Sequence, residues 1–202
     1  MSKKILAIVG TYRKGGIIDS TVDEILSAAQ TSGGQTEKIY LIDKHIEFCT
    51  NCRKCTQSPG EIRGKCIHND DMEEILQKIE MADGLILASP VNFYNVTAVT
   101  RRFMERLVAF AYWPWAGNSG PKIRNKTKNK KAVIVTSTAM PAFFGKLLTG
   151  APRALKITAE VLGAKVIASI FIGTIANNEK ESLPKKYVQK AIKAGKILAT
   201  EL

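Results

Sequence analysis

Four cysteines lie in one short segment of the chain and are its most chemically distinctive residues. Cys49, Cys52 and Cys55 are separated from one another by two residues, and Cys66 follows after ten more. Iron–sulfur centres use repeated C-x2-C spacing, whereas structural zinc sites usually combine two separated C-x2-C pairs. Three interpretations are open from the residues alone: all four cysteines ligate a [4Fe–4S] cluster, they are reduced thiols in a loop, or they bind zinc.

A second candidate site is the segment from Gly10 to Thr21, which is rich in glycine and hydroxyl side chains and contains Arg13. A dinucleotide fingerprint is excluded because Tyr12 replaces its second glycine, and an ATP-binding loop is excluded because no Lys-Ser/Thr pair follows Gly15. Hydroxyls, one arginine and the free amides of a helix N-terminus suit a single phosphate group. The alternative is an ordinary strand-to-helix loop with Ser20 as the N-cap.

The segment from Ala88 to Thr97 is the third candidate. Pro90 lacks an N–H and fixes the chain as it leaves a strand. The extended residues after it can present backbone polar groups to the edge of a planar heterocycle, with Phe93 available for packing. A proline-terminated strand followed by a plain turn is the alternative interpretation.

The elements that must position these residues alternate between strand and helix along the whole chain. Buried strands are predicted at residues 5–9, 38–42, 84–89, 132–136 and 165–172. Helices are predicted at 20–30, 70–81, 97–110, 146–162 and 183–202, the second opened by a capping box at Asp70 and Glu73. This alternation predicts an α/β fold with a doubly wound, five-stranded parallel sheet, as one domain over residues 1–202 with a cysteine-rich insert at 45–67. Ligands of such sheets bind at the carboxyl ends of the strands, here after Val9, Ser89 and Thr136.

Composition narrows the classes of function. The chain of 202 residues has 30 basic and 18 acidic residues, a formal charge of +12. Part of that charge lies in the run from Lys122 to Lys131, which suits a solvated loop, or steering of an anionic cofactor or acidic redox partner. No aromatic side chain interrupts this run as a base-stacking surface requires, so we expect no nucleic-acid partner. No stretch approaches the ~20 apolar residues that span a bilayer. We therefore expect no membrane partner and a cytoplasmic protein with reduced cysteines.

Taken together, these motifs resemble one family. The Gly10–Arg13 segment, the cysteines before Asp70–Met72, the Ser89–Val91 turn and a helix ending at Phe103–Arg106 are similar to the NADPH-dependent FMN reductase family, and more narrowly to its iron–sulfur flavoprotein branch. The resemblance covers residues 4–140 and implies a flavodoxin-like sheet with strand order 2-1-3-4-5. Two departures stand out: the phosphate loop is about two residues longer than usual, and the acidic Asp19 lies where an uncharged side chain is expected.

The resemblance also implies a role for each loop. The FMN phosphate would be held by Thr11, Arg13, Ser20 and Thr21; the flavin ring would lie along Ser89, Pro90, Val91, Asn92 and Phe93; and Ser137, Thr138 and Ala139 would complete the pocket. Electrons would pass from NAD(P)H or a ferredoxin-like donor through FMN to a small acceptor such as a quinone or free flavin. No side-chain acid, base or nucleophile is required. The implied assembly is a homodimer or homotetramer. The aromatic run Tyr112–Trp115 would either cover the flavin or pack at a helix end.

Two other functions are carried as alternatives. One is an iron–sulfur flavoprotein that carries electrons without turning over a small molecule. The other, remote, is a zinc-bearing basic nucleic-acid-binding module, which rests only on the charge of the chain and its cysteines.

Overall fold

The computed structural model describes residues 2–115, 120–124, 126–175 and 182–200. The strands are β1 (Lys4–Val9), β2 (Gln35–Tyr40), β3 (Gly84–Pro90), β4 (Ala111–Tyr112), β5 (Lys122–Ile123), β6 (Lys130–Ser137) and β7 (Ala164–Ile172). The helices are α1 (Ile17–Thr31), α2 (Met72–Met81), α3 (Ala98–Arg106), α4 (Ala142–Leu148), α5 (Ala151–Val161) and α6 (Lys185–Ala199). Short 3-10 helices occur at Leu41–Asp43, Lys54–Thr56 and Leu107–Phe110.

The main sheet is parallel and runs in the order β2-β1-β3-β6-β7. Counting only these five strands, this is the predicted order 2-1-3-4-5, and the flavodoxin-like prediction is confirmed. Along the chain, β1 is followed by β2 on one side of it and then by β3 on its other side. The loops that leave β1 and β3 therefore diverge and leave a crevice between them.

Alternate side chains of the central strands pack on opposite faces of the sheet. Leu6, Ile8 and Leu87 pack on one face with α2, α3 and α5, whereas Ile5 and Ala88 pack on the other with α1 and α6. Burial on both faces explains why these strands are continuous apolar runs.

Several predicted boundaries are wrong. α1 begins at Ile17 and not at Ser20, because Gly16 is its N-cap. The helix predicted at 146–162 is two helices, α4 and α5, separated at Thr149 and Gly150. The capping box predicted at Asp70 and Glu73 is only half formed: Asp70 accepts from the Met72 N–H at 3.1 Å, but the Glu73 carboxylate accepts from Arg63 and does not reach back to Asp70.

The basic run from Lys122 to Lys131 is not simply a solvated loop. Its first two residues form β5, which pairs with β4 in an antiparallel ribbon that the sequence did not predict. Its last two residues begin β6, where Lys131 is buried and donates to the carbonyls of Ile197 and Thr200. Asn125, within the run, lies outside the described residues. No helix in the described ranges has both the length and the apolar character needed to cross a bilayer.

Candidate active site

A cleft of about 790 Å³ opens where β1, β3 and β6 end. Ligand pockets typically measure ~300–1,000 Å³. The loops after the three strands meet in this cleft, as predicted for a doubly wound sheet. Its lining residues are Thr11, Tyr12, Arg13, Lys14, Gly15, Gly16, Ile17, Ile18, Pro90, Asn92, Ser137, Ile175 and Ser182.

The loop after β1 forms one end of the cleft. The Thr11 hydroxyl accepts a hydrogen bond from the Arg13 N–H at 3.2 Å and so shapes the start of the loop. Gly15, at φ +75°, makes a left-handed turn that favours glycine. Ile17 and Ile18, the first residues of α1, also line the cleft. The first N–H groups of a helix lack intrahelical acceptors and carry partial positive charge, so this end suits an anion.

Asp19 does not point into the cleft. Its carboxylate accepts hydrogen bonds from the Gly15 N–H at 2.6 Å, the Lys38 ammonium at 2.9 Å and the Tyr40 hydroxyl at 2.7 Å. Burial alone would raise the pKa of Asp19, but these three hydrogen bonds outweigh it and lower the pKa. Asp19, the acidic residue that was unexpected at this position of the sequence, therefore stabilises the loop through a buried hydrogen bond to Gly15.

Ser20 and Thr21 lie inside α1 and do not line the cleft. The Thr21 side chain is fully buried, and its hydroxyl donates to the Ile17 carbonyl at 2.6 Å. Ser20 is half-buried in the second turn of the helix. Because α1 starts three residues earlier than predicted, both hydroxyls lie beyond the turn whose amides face the cleft.

The loop after β3 is tied to both neighbouring loops. The buried Ser89 hydroxyl accepts from the Thr97 N–H at 3.1 Å and donates to the Pro90 carbonyl at 3.0 Å. The Thr97 hydroxyl in turn donates to the Gly10 carbonyl at 2.6 Å. The Val91 N–H donates to the Ser137 carbonyl at 2.7 Å. These bonds hold the three strand ends in register around the cleft.

A tight turn projects from the same loop. Asn92 and Asn95 exchange two backbone hydrogen bonds, and the two residues between them, Phe93 and Tyr94, have φ values of +45° and +65°. Two positive φ values in a two-residue connection are typical of a type I′ turn, which normally selects asparagine and glycine. Large aromatic residues are strained in this region. Phe93 is 97% exposed and does not line the cleft.

The loop after β6 contributes less than predicted. Ser137 lines the cleft, but Thr138 is buried and its N–H donates to the Ile172 carbonyl at 2.9 Å. Ala139 is exposed and does not line the cleft. Five of the twelve predicted cofactor residues therefore meet in the cleft: Thr11, Arg13, Pro90, Asn92 and Ser137.

Sequence reasoning missed two groups of lining residues. Tyr12, Lys14, Gly15, Gly16, Ile17 and Ile18 belong to the loop after β1 and the start of α1, and the two adjacent glycines were the available signal. Ile175 and Ser182 come from the segment after β7, which carries no motif.

The four cysteines surround a second cavity, of only about 30 Å³. Cys49, Cys52, Cys55 and Cys66 all line it, as free thiols, together with Arg53, His68, Arg106 and Trp113. Burial raises the pKa of the Cys55 thiol, and the neighbouring Cys66, Cys49 and Cys52 raise it further. Within the described ranges, no group of three or more His, Cys, Asp and Glu side chains is arranged to hold a single metal ion. A cubane cluster distributes its cysteine ligands over four iron atoms, so it requires sulfurs around one cavity and not at one point.

Two anchors hold the cysteine segment in place. At its start, Asp70 accepts from the Glu47 N–H at 2.8 Å and forms a buried, two-bond ion pair with Arg106, which also donates to the Glu47 carbonyl. In its middle, the Arg53 guanidinium stacks between the rings of Trp113 and Trp115, 3.6 and 4.0 Å from their centroids. The aromatic run therefore packs on the cysteine segment and does not line the larger cleft.

Two buried nitrogens on residues that line this cavity lack a hydrogen-bond partner among the described residues: Arg53 Nε, which is a donor, and His68 Nε2, which donates when it carries the proton. The Cys66 sulfur interacts with the Arg106 guanidinium. Thiolates and inorganic sulfides accept hydrogen bonds, and such bonds tune iron–sulfur centres. The donor set therefore fits an anionic, sulfur-rich group.

Comparisons with known proteins agree with this geometry. A model of the NADPH-dependent FMN reductase family matches residues 3–175. An iron-sulfur flavoprotein of Archaeoglobus fulgidus is 35% identical over 111 residues, which are 55% of this chain and 48% of that protein. One from Methanocaldococcus jannaschii is 40% identical over 103 residues, 51% of each chain. The chain thus spans about half the length of the curated relatives it matches.

Solved structures support the same fold. An NAD(P)H:quinone oxidoreductase from Methanothermobacter marburgensis superposes with a TM-score of 0.69 at 16% identity, covering 98% of this chain and 100% of that one. An FMN-dependent NADH-azoreductase from Bacillus anthracis, in complex with FMN, gives 0.72 at 13% identity, with coverages of 98% and 100%. Because the family model spans both the cleft loops and the cysteine segment, this chain belongs to the NADPH-dependent FMN reductase family.

Proposed function

We propose that this protein is an FMN-binding oxidoreductase that passes electrons from NAD(P)H or a reduced, ferredoxin-like carrier to a small acceptor such as a quinone or free flavin. The observation that carries this proposal is the meeting of the loops after β1, β3 and β6 in one cleft large enough for a mononucleotide. Family membership and the names of the structural neighbours point to the same chemistry.

In this proposal, the phosphate of FMN lies at the start of α1. Thr11 and the amides of Ile17 and Ile18 supply hydrogen bonds there, and Arg13 supplies positive charge. Charge-assisted hydrogen bonds to a phosphate are about twice as strong as neutral ones. Ser20 and Thr21 are left out of this phosphate site because they lie within the helix.

The flavin ring lies, in this proposal, along Pro90, Asn92 and Ser137. When bound, FMN supplies hydride and single-electron chemistry. The protein orients it: the hydrogen bond from the Val91 N–H to the Ser137 carbonyl fixes the distance between the two walls of the cleft. The Val91 and Asn92 N–H groups already donate to the Ser137 and Asn95 carbonyls, so in this proposal the Asn92 side-chain amide is the group that hydrogen-bonds the ring edge.

We further propose that Cys49, Cys52, Cys55 and Cys66 hold a [4Fe–4S] cluster. The shared cavity, the buried nitrogens that lack a partner among the described residues and the resemblance to named iron-sulfur flavoproteins support this over reduced thiols or zinc. A reducing, cytoplasmic location belongs to the same proposal, because iron–sulfur ligands must remain thiolates.

A second candidate function is an electron carrier that does not turn over a small molecule. It is favoured by the presence of the cysteine cavity in the same domain as the proposed flavin cleft.

A homodimer or homotetramer is proposed from the exposed apolar side chains of α4, namely Phe143, Phe144, Leu147 and Leu148. Contiguous apolar patches on a surface mark interaction sites. The nucleic-acid module is disfavoured because Lys130 and Lys131 belong to the sheet.

One experiment tests these proposals together. The anaerobically purified protein should show flavin absorbance bands and a broad iron–sulfur shoulder, with four iron and four sulfide per chain by the ligand count of such a cluster. Rapid bleaching of the flavin by NADPH in stopped flow supports the reductase. Bleaching only by a reduced carrier protein supports the electron carrier. A colourless protein that does not take up added FMN refutes both.

A further inference from the structure

Asp19 occupies the third position of α1, at the helix end that faces the cleft, yet its side chain is only 5% exposed and does not line the cleft. An acidic residue at this position often reaches back to the N-cap N–H in a capping box. Here the carboxylate reaches one residue further, to the N–H of Gly15, at 2.6 Å. It thus holds the last turn of the loop before the helix begins.

We propose that Asp19 is a positioning residue for the phosphate of the bound cofactor: it holds the loop at Gly15 in the shape that aims the free amides of α1 into the cleft. This inference rests on the proposed FMN function. Asp19 would act through the loop and would not touch the ligand itself.

The geometry of the loop shows why an anchor is needed. Gly15 has a φ of +75°. Glycine adopts other backbone conformations about as readily, so its own preference does not hold the loop in this shape. The loop is also tied one residue earlier, where the Lys14 ammonium bonds the Asp43 carboxylate at 2.6 and 2.9 Å. That pair is half-exposed and therefore weak, whereas the Asp19 contact is buried.

A negative charge near a phosphate would normally weaken binding, and Lys38 counters this. Its ammonium bonds Asp19 at 2.9 Å and also bonds Asp23, one turn further along α1. Burial alone would lower the pKa of Lys38, but the hydrogen bonds with Asp23, Tyr40 and Asp19 raise it, so the lysine stays charged. The Asp19 charge is thereby neutralised on the side away from the cleft.

The test compares two ligands that differ only in the phosphate. We would measure the dissociation constants of FMN and riboflavin by flavin fluorescence for the wild-type protein and for Asp19→Asn, Asp19→Ala and Asp23→Asn. Asp23 is the matched control, because it bonds the same lysine from the same helix but does not contact the loop. Both ligands bind the same folded fraction, so the ratio of their affinities is unaffected by any loss of folded protein.

We expect Asp19→Ala to lower the preference for FMN over riboflavin by roughly tenfold or more, since a charge-assisted loop contact is lost. Asp19→Asn should have a smaller effect in the same direction, because its amide oxygen can still accept from Gly15. Asp23→Asn should leave the ratio within about twofold of wild type, as expected for an exposed pair.

The outcomes separate this inference from the proposed function. A wild-type protein with no preference for FMN over riboflavin would refute the phosphate site itself. A clear wild-type preference that Asp19→Ala leaves unchanged, or that Asp23→Asn reduces equally, would overturn the role of Asp19 and leave the FMN proposal intact.

Discussion

The buried ion pair between Arg106 and Asp70 allows a sharp test of what holds the cysteine segment in place. Both side chains are almost fully buried, with 2% and 1% of their surface exposed. On the same helix, Arg101 pairs with Glu105 four residues later, but these side chains are 58% and 43% exposed. The helix therefore contributes an arginine to each of two ion pairs: a buried one that joins it to a distant segment, and an exposed one within the helix.

The expected magnitudes differ by several-fold. Arg106→Met keeps the aliphatic stem but leaves the Asp70 carboxylate buried without its cation, which costs ~3–5 kcal/mol. Arg101→Met removes an exposed i,i+4 pair worth ~0.3–0.5 kcal/mol. For a chain of this length, 1 kcal/mol corresponds to a Tm change of ~2–4 °C. We therefore expect Tm to fall by roughly 6–20 °C for Arg106→Met and by less than about 2 °C for Arg101→Met.

Differential scanning calorimetry of both variants, prepared and loaded identically, would measure this difference. Equal Tm shifts for the two variants would refute the reasoning, because burial would then not decide the strength of the pair. A pH series adds a second check. Burial by itself raises the pKa of Asp70, but the hydrogen bonds from Arg106 and from the Glu47 and Met72 N–H groups lower it overall.

The sign of the pH dependence follows from that lowered pKa. A carboxylate whose pKa is lower in the folded state stabilises the fold fully above its unfolded pKa, ~3.9 for aspartate. This stabilisation is lost as the pH falls through the folded value. Without Arg106, burial raises the pKa of Asp70 in the variant, so the gap in Tm between wild type and Arg106→Met should be largest near pH 7 and should narrow as the pH falls and that carboxylate is protonated. A gap that widened on acidification would contradict this assignment.

Two further predictions concern the two cavities, and a third concerns the turn at Phe93. Arg13→Ala should weaken FMN binding by ~1.5–3 kcal/mol with little change in Tm, measured by fluorescence titration, and an unchanged affinity would count against the phosphate site. Cys66→Ser should lower bound iron and sulfide while the flavin band is retained, and full iron content would exclude Cys66 as a ligand. Phe93→Gly should raise the free energy of unfolding by about 1 kcal/mol or more, because glycine relieves the strain of the positive φ at this position. Phe93→Ala, the control, should not. Equal effects of the two substitutions in urea unfolding would show that the turn is not strained.

The local pattern of the chain was sufficient to predict the architecture. Strand β3 and the core of β1 are unbroken apolar runs closed by Pro90 and Gly10, and such runs indicate strands buried on both faces. Because parallel strands must be joined by crossovers, the alternation of strand and helix then permits few topologies. The parallel sheet and the edge of it that bears the cleft were therefore predictable from the pattern, and the strand order followed from the family resemblance.

Helix ends and side-chain direction were not predictable in the same way. The prediction that Ser20 and Thr21 hold phosphate depended on α1 starting at Ser20, and a three-residue shift of the helix start moved both out of the cleft. Asp19 illustrates the same problem. Its role depends on Lys38 and Tyr40, which reach it only because β2 lies beside β1 and next to α1.

The sequence by itself determined the class of fold and the presence of two chemically distinct segments, because these depend on local periodicity and residue spacing; the strand order followed only from the family resemblance. Tertiary structure alone decided which hydroxyls and charges face the cleft, and that Trp113 and Arg106 close around the cysteines. The physical reason is that hydrogen bonds and ion pairs between distant segments are short-ranged. They form only when the sheet has brought residues such as Arg53 and Trp113, sixty positions apart, into contact.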